Sequence, residues 1–244
     1  MGCITKHYLN ESTILGVWKI EEDIKTLLRM VELDEEDRRK YRVFKSTSRR
    51  LEFLSVRALL FELLGKEARI VYNKNNKPFL KDGSRFISIT HSHKLTAIIC
   101  STSEKVGIDL EYMSANIGSI AFKFLNRREK VTRNTEQKKY HLYIHWCAKE
   151  SLYKICDKEG ISFRNNITIH PFEVKESGEI TGDVRTKKIN ESFDLYYSRY
   201  DNYAIVWTKK NYGNNKLPGE GQPGVASRPR SEERRVGKEC RSRW

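Results

Sequence analysis

The chain has none of the raw material of a membrane anchor. No stretch of its 244 residues holds the roughly 18 consecutive apolar residues that a spanning helix needs. The start, MGCITKHYLN, has no apolar segment of signal-peptide length. Met1-Gly2-Cys3 is the beginning of an acylation signal, but Lys6 stands where that pattern wants Ser or Thr. Cysteine is scarce too. The five (Cys3, Cys100, Cys147, Cys156 and Cys240) are odd in number and form no CxxC pair, which argues against a disulfide framework. These absences predict a soluble protein of the reducing cytoplasm. Three of the five prolines, and five of the fourteen glycines, fall beyond residue 212. That final segment, 213–244, has no apolar periodicity, so it is predicted to be a disordered, appended or read-through tail outside the fold.

What is abundant is positive charge. The net charge is +14, and the tail, with eight Lys/Arg against four Glu, supplies +4 of it, leaving +10 on residues 1–212. Such a balance suits polyanionic partners: nucleic acid, phosphorylated cofactors or acidic proteins. A basic nucleic-acid-binding protein without catalysis is therefore an alternative, though no zinc, helix-turn-helix or RNP signature is present.

The organising stretch is Val106-Gly107-Ile108-Asp109-Leu110-Glu111. Its alternation predicts a β-strand with Ile108 and Leu110 on a core face. Asp109 and Glu111 share the other face, about 7 Å apart along the backbone. Two such carboxylates repel unless a cation lies between them, and hard divalent ions such as Mg²⁺ take oxygen ligands of this kind. By itself the pattern also suits an edge strand with two solvated acids.

Around it the periodicities predict a strand at 13–20, a helix opened by Glu21, Glu22 and Asp23, a charged helix over 34–45, and a longer helix capped by Ser46 or Ser48 and ending at Gly65. Arg50 and Arg57, seven residues apart, share a face of that helix. A strand at 68–72, a turn at 73–77 and a hairpin at 86–100 follow. Residues 85–101 then match 192–208 at a constant offset of 107: Phe86 on Phe193, Ala97 on Ala204, Ile98 on Ile205, Ile99 on Val206. The repeat predicts an α+β fold built as two similar halves, about 1–103 and 104–212, related by a pseudo-twofold with a cleft between them.

A third stretch, Trp146 to Lys154, reads as helix, with Trp146, Glu150 and Lys154 on one stripe and Lys149 one residue round. Taken in order, these segments resemble the surfactin-type 4′-phosphopantetheinyl transferases. That family carries a G-I-D-x-E strand, an F-x-x-x-x-E segment and then W-x-x-K-E-x-x-x-K. Here these are Gly107 to Glu111, Phe124 to Glu129, and Trp146, Lys149, Glu150 and Lys154. The upstream family turn G-K-P-x-L and segment S-x-S-H stand here as Asn76 to Leu80 and Ser88 to His91, with Asn for Gly and Thr for Ser.

The resemblance covers about 45–210 and implies a pseudo-dimer with the active site between its halves. It implies transfer of phosphopantetheine from coenzyme A to a serine of an apo acyl or peptidyl carrier protein, with release of 3′,5′-ADP. It also implies that Asp109, Glu111 and Glu150 hold Mg²⁺ and that Lys149 and Lys154 add charge near the phosphates. Glu150, with Glu129 second, is expected to take the serine proton. Lys77, Thr90 and His91 are expected on coenzyme A, and Lys45, Arg50 and Arg57 on its 3′-phosphate. The doubled layout predicts a monomer.

Overall fold

A computed structural model describes residues 2–114, 116–156 and 160–211. The predicted tail at 213–244 lies outside the described residues. The chain is α+β.

The N-terminal part starts with two strands, β1 (Cys3–Tyr8) and β2 (Thr13–Lys19). Three helices follow: α1 (Ile24–Met30), α2 (Glu35–Val43) and α3 (Thr47–Leu64). Each begins at a capping side chain that takes an otherwise orphaned amide. Asp23 accepts from the Thr26 amide, Asp34 from Asp37 and Ser46 from Arg49. Gly65, with φ of 91°, ends α3 where other residues are strained. Then come β3 (Ile70–Tyr72), β4 (Pro78–Leu80) and the hairpin β5 (Phe86–Ser92) and β6 (Leu95–Ser101).

The C-terminal part opens with β7 (Glu104–Tyr112), which contains the predicted acidic strand. A single 3₁₀ turn at Ile117–Ile120 and the short α4 (Ala121–Phe124) lead to the long helix α5 (Thr135–Cys156). It is followed by α6 (Phe163–Asn166), β8 (Ile167–Ile169), β9 (Ser177–Arg185) and the hairpin β10 (Asn190–Tyr200) and β11 (Tyr203–Asn211).

Two antiparallel sheets result. One has the order β1-β2-β6-β5 and the other β7-β11-β10-β9-β8, with β3 and β4 pairing separately. Three cores glue the layers. Leu54, Leu59 and Leu63 of α3 pack with Ile14, Ile87 and Ile98 beneath the first sheet. Cys147, Ala148 and Leu152 of α5 pack with Ile180, Leu195, Ala204 and Val206 beneath the second. Between the sheets, Leu15, Val17, Ala97 and Ile99 meet Val106, Ile108, Leu110 and Ile205.

The packing corrects the repeat register. An offset of 107 lays Ala97 on Ala204, but Ala97 faces the core between the sheets and Ala204 the core beneath α5. A slip of one residue puts every side chain of a strand on the other face. The hairpin turns themselves, at His93 (φ 52°) and Asp201 (φ 47°), correspond at an offset of 108. The matched identities are therefore a coincidence of hairpin composition.

The two sheets also meet along a seam between β5 and β7. Side-chain hydroxyls replace a backbone ladder there. Ser88 Oγ accepts from the Ile108 amide at 3.1 Å, Thr90 Oγ1 from Leu110 at 3.3 Å and Ser92 Oγ from Tyr112 at 3.1 Å. The three hydroxyls recur at every second residue because strand side chains alternate faces.

Candidate active site

The site grows from that seam. Asp109 leaves β7 on the side facing α5 and is 5 % exposed, so it is not the solvated acid that strand alternation permits. Its Oδ1 accepts from Thr90 Oγ1 at 3.0 Å and from Lys154 Nζ at 2.7 Å. Lys154 also donates to the Ile108 carbonyl at 2.8 Å and reaches the Ile89 carbonyl at 3.4 Å. One ammonium thus neutralises the carboxylate and ties β5 to β7. Glu111, half-buried two residues on, accepts from Ser92 Oγ at 2.7 Å through Oε2.

Helix α5 lies directly over this face. A Cβ on Gly107 would stand 2.3 Å from the Ser151 carbonyl oxygen, so only glycine lets strand and helix approach this closely. Burial pushes the Cys147 thiol well up, and the Asp109 and Glu111 carboxylates push it further. Glu150 is half-buried and precedes Lys154 by one helical turn on the same stripe. Asp109 and Lys154 therefore meet between β7 and α5, with Glu111 on the same strand face as Asp109 and Glu150 on the same helix stripe as Lys154.

Among the described residues no three His, Cys, Asp or Glu side chains form a metal cluster by themselves. One atom nevertheless suits a cation: Asp109 Oδ2 is buried and has no hydrogen-bond partner. A buried carboxylate oxygen left unpaired is costly. Mg²⁺ commonly takes only one or two protein carboxylates and completes its shell with phosphate oxygens and water. The donor set fits an ion held in that way.

Lys149 and Glu129 are corrections to the expected site. Lys149 is fully buried, and its Nζ lies within 2.9 Å of the Phe124, Phe163 and Ile167 carbonyls and of Glu129 Oε2. An ammonium has three donors, so none remains for a phosphate. Glu129 accepts from the Ile169 amide at 2.8 Å and the Asn126 amide at 2.7 Å besides Lys149. Burial raises the Glu129 carboxyl, but its contacts with His145, Lys149 and Asn126 outweigh that and leave it below the usual carboxylate range. A buried, paired carboxylate of low basicity is a poor acceptor for a substrate proton. The pair instead anchors residues 124–129 to α5 and β8. Trp146 packs against Phe124 and Phe163 on the same side, at centroid distances of 5.4 and 5.6 Å.

Two turns earlier on α5, His141 and His145 stack 5.0 Å apart against Phe172. Burial, helped by His145, lowers the His141 imidazole to about 4. On acidification the unfolded chain takes up a proton near pH 6.5 that folded His141 refuses. Its contribution to stability is complete above that value and declines as the pH falls toward 4, by at most about 3 kcal/mol. His141→Gln, which keeps an acceptor for the Thr132 amide, is expected to flatten this limb in urea titrations run between pH 4 and 7.

The expected phosphate contacts divide. His91 sits at the end of β5 beside α3. Arg49 donates to its Nε2 at 3.0 Å, and a guanidinium cannot accept, so the imidazole is neutral with its proton on Nδ1, 3.5 Å from Glu52 Oε2. Arg49 is exposed and accompanies His91, whereas Arg50 turns to the Phe44 carbonyl at 2.9 Å and lies over the Tyr41 ring. The Arg-Arg dipeptide offered no sequence signal to choose between them. Lys45 is exposed just before α3, and Lys77 is half-buried in the turn before β4. Asn76 in that turn has φ of 54°, which explains Asn where the resembled pattern has Gly.

Arg57 is a further correction. It is 3 % exposed and forks onto Asp37, Nε to Oδ2 at 3.1 Å and Nη2 to Oδ1 at 2.6 Å, with its Cζ 3.5 Å from the Phe53 ring centroid. It joins α2 to α3 inside the protein and presents no face to a ligand.

This site carries two acids and a lysine between a strand and a helix, behind a seam of hydroxyls, as suits a transferase acting on a phosphate ester. Residues 105–208 match the model of the 4′-phosphopantetheinyl transferase superfamily. The match spans less than half of the chain. It includes Asp109, Glu111, Glu150 and Lys154 but stops short of His91, Lys77 and the arginines of α3. No curated protein matches the chain.

Proposed function

We propose that the protein is a surfactin-type 4′-phosphopantetheinyl transferase that moves the phosphopantetheine of coenzyme A onto a serine of an apo acyl or peptidyl carrier protein, releasing 3′,5′-ADP. The observation that carries this reading is the orphaned Asp109 Oδ2, two residues from Glu111 on β7 and within the matched superfamily segment. Asp109, Glu111 and Glu150 would hold Mg²⁺, directly or through water. The ion would neutralise the pyrophosphate and hold its phosphorus in line for attack.

The chain's own groups divide the remaining work. Lys154, fixed by two carbonyls and Asp109, keeps the acidic face from repelling a polyanion. Glu150 takes the serine proton, Glu129 being committed to Lys149. Arg49, Lys45 and Lys77 present donors and positive charge to the phosphates from the N-terminal side, with His91 placed beside Arg49. That side, about 1–103, serves coenzyme A, and 104–212 supplies the acids, with one cleft in one monomeric chain of the cytoplasm.

The test is intact-mass analysis of a panel of apo-carriers incubated with the protein, coenzyme A and Mg²⁺. Addition of one phosphopantetheine group is the expected result. Asp109→Asn keeps the side-chain volume and is expected to slow transfer at least about 100-fold, beyond the range typical of outer partners of a metal site. A variant of near-normal rate at saturating Mg²⁺ removes Asp109 from the metal site. No mass gain on any carrier with the unaltered protein defeats the reading.

A further inference from the structure

The seam hydroxyls are not equivalent. All three accept from a β7 amide, but only two also donate to a carboxylate of the site. Ser88 Oγ meets the Ile108 amide alone, next to Gly107 and Ile108, which carry no acid. Thr90 donates to Asp109, and Ser92 donates to Glu111. A serine hydroxyl has a single proton. With the Tyr112 amide occupying a lone pair of Ser92 Oγ, that proton is directed along the 2.7 Å line to Glu111 Oε2.

We propose that Ser92 is a positioning residue of the active site. It fixes the rotation of the Glu111 carboxylate so that Oε2 is engaged and Oε1 is turned to the ion. This rests on the function proposed above and extends it to a residue outside the matched superfamily segment. Glu111 is half-buried, so without a partner its side chain has several rotamers to choose from. Asp109 is shorter, more buried and held by two donors, Thr90 and Lys154, whereas Ser92 is a donor Glu111 shares with no lysine of that pair. Removing the hydroxyl at 92 takes a directed hydrogen bond from Glu111 Oε2 while leaving both donors of Asp109 in place. An outer-shell partner of this kind is typically worth 10- to 100-fold in metal affinity.

The experiment separates orientation from seam stability. Mn²⁺ is titrated into the full-length protein with saturating coenzyme A, and binding is followed by calorimetry. Ser92→Ala is expected to bind Mn²⁺ about tenfold more weakly. Ser88→Ala loses a comparable seam bond and is expected to melt earlier while binding Mn²⁺ as the unaltered protein does. Ser92→Thr keeps the hydroxyl, as Thr90 does on the neighbouring rung, and is expected to restore affinity. In the double variant with Glu111→Ala, loss of Ser92 is expected to add nothing, because it acts through Glu111.

Unchanged Mn²⁺ binding in Ser92→Ala, or equal weakening in Ser88→Ala, overturns the inference and leaves the proposed transferase intact. Absence of Mn²⁺ binding by the unaltered protein with coenzyme A overturns the metal reading itself.

Discussion

Arg57→Ala is expected to lower the unfolding free energy by about 3–5 kcal/mol. The substitution leaves Asp37, 5 % exposed, as a buried carboxylate without its two guanidinium hydrogen bonds. It also removes the cation resting on the Phe53 ring. The seven-residue spacing of Arg50 and Arg57 predicts a shared face directed at a phosphate, and the shared face exists, but it is turned to α2. Replacing both partners with apolar residues, as in Arg57→Met with Asp37→Leu, is expected to recover most of the loss, because no charge then remains buried. Urea unfolding of the three variants measures this. A variant that keeps its stability yet loses affinity for coenzyme A, and not for dephospho-coenzyme A, would return Arg57 to the ligand.

Gly107→Ala is expected to cost about 1–3 kcal/mol or more and to slow transfer disproportionately. The added methyl would lie 2.3 Å from the Ser151 carbonyl oxygen and 3.3 Å from Ile155 Cβ. The nearest obstacle is helix backbone, so no side-chain rotation relieves it, and α5 has to lift from β7. Asp109 and Glu111 ride on the strand, and Glu150 and Lys154 on the helix, so the lift separates the two halves of the site. Thermal melts paired with transfer rates check the expectation. An alanine variant of normal melting temperature and rate would show that the contact between β7 and α5 is slack.

Much of the local structure was legible. The acidic strand, the helix ended by Gly65, the hairpin at 86–100 and the helix around 146–154 all follow from alternation, capping residues and 3.6-residue stripes. β1 was missed because Cys3–Tyr8 mixes apolar, charged and aromatic residues without clean alternation. The three hydroxyls of β5 alternate visibly in Phe86–Ser92, but a Ser-x-Thr-x-Ser strand face is common on solvated edges, and only the neighbouring β7 amides give it a role.

The sequence by itself determined which residues share a face: Asp109 with Glu111, Glu150 with Lys154, Arg50 with Arg57. Backbone geometry imposes those relations within one element, so no partner is needed to read them. Tertiary structure alone decided what each face meets. Lys149 and Lys154 are five residues apart on one helix, yet one is sealed against three carbonyls and Glu129 while the other lies across the seam on Asp109. Arg49 and Arg50 are adjacent, yet one stands by His91 and the other by Phe44. The helix turns by about 100° per residue. Neighbours in sequence therefore project onto different layers, and whether a cation finds a carboxylate, a carbonyl or water depends on chain segments tens of residues away.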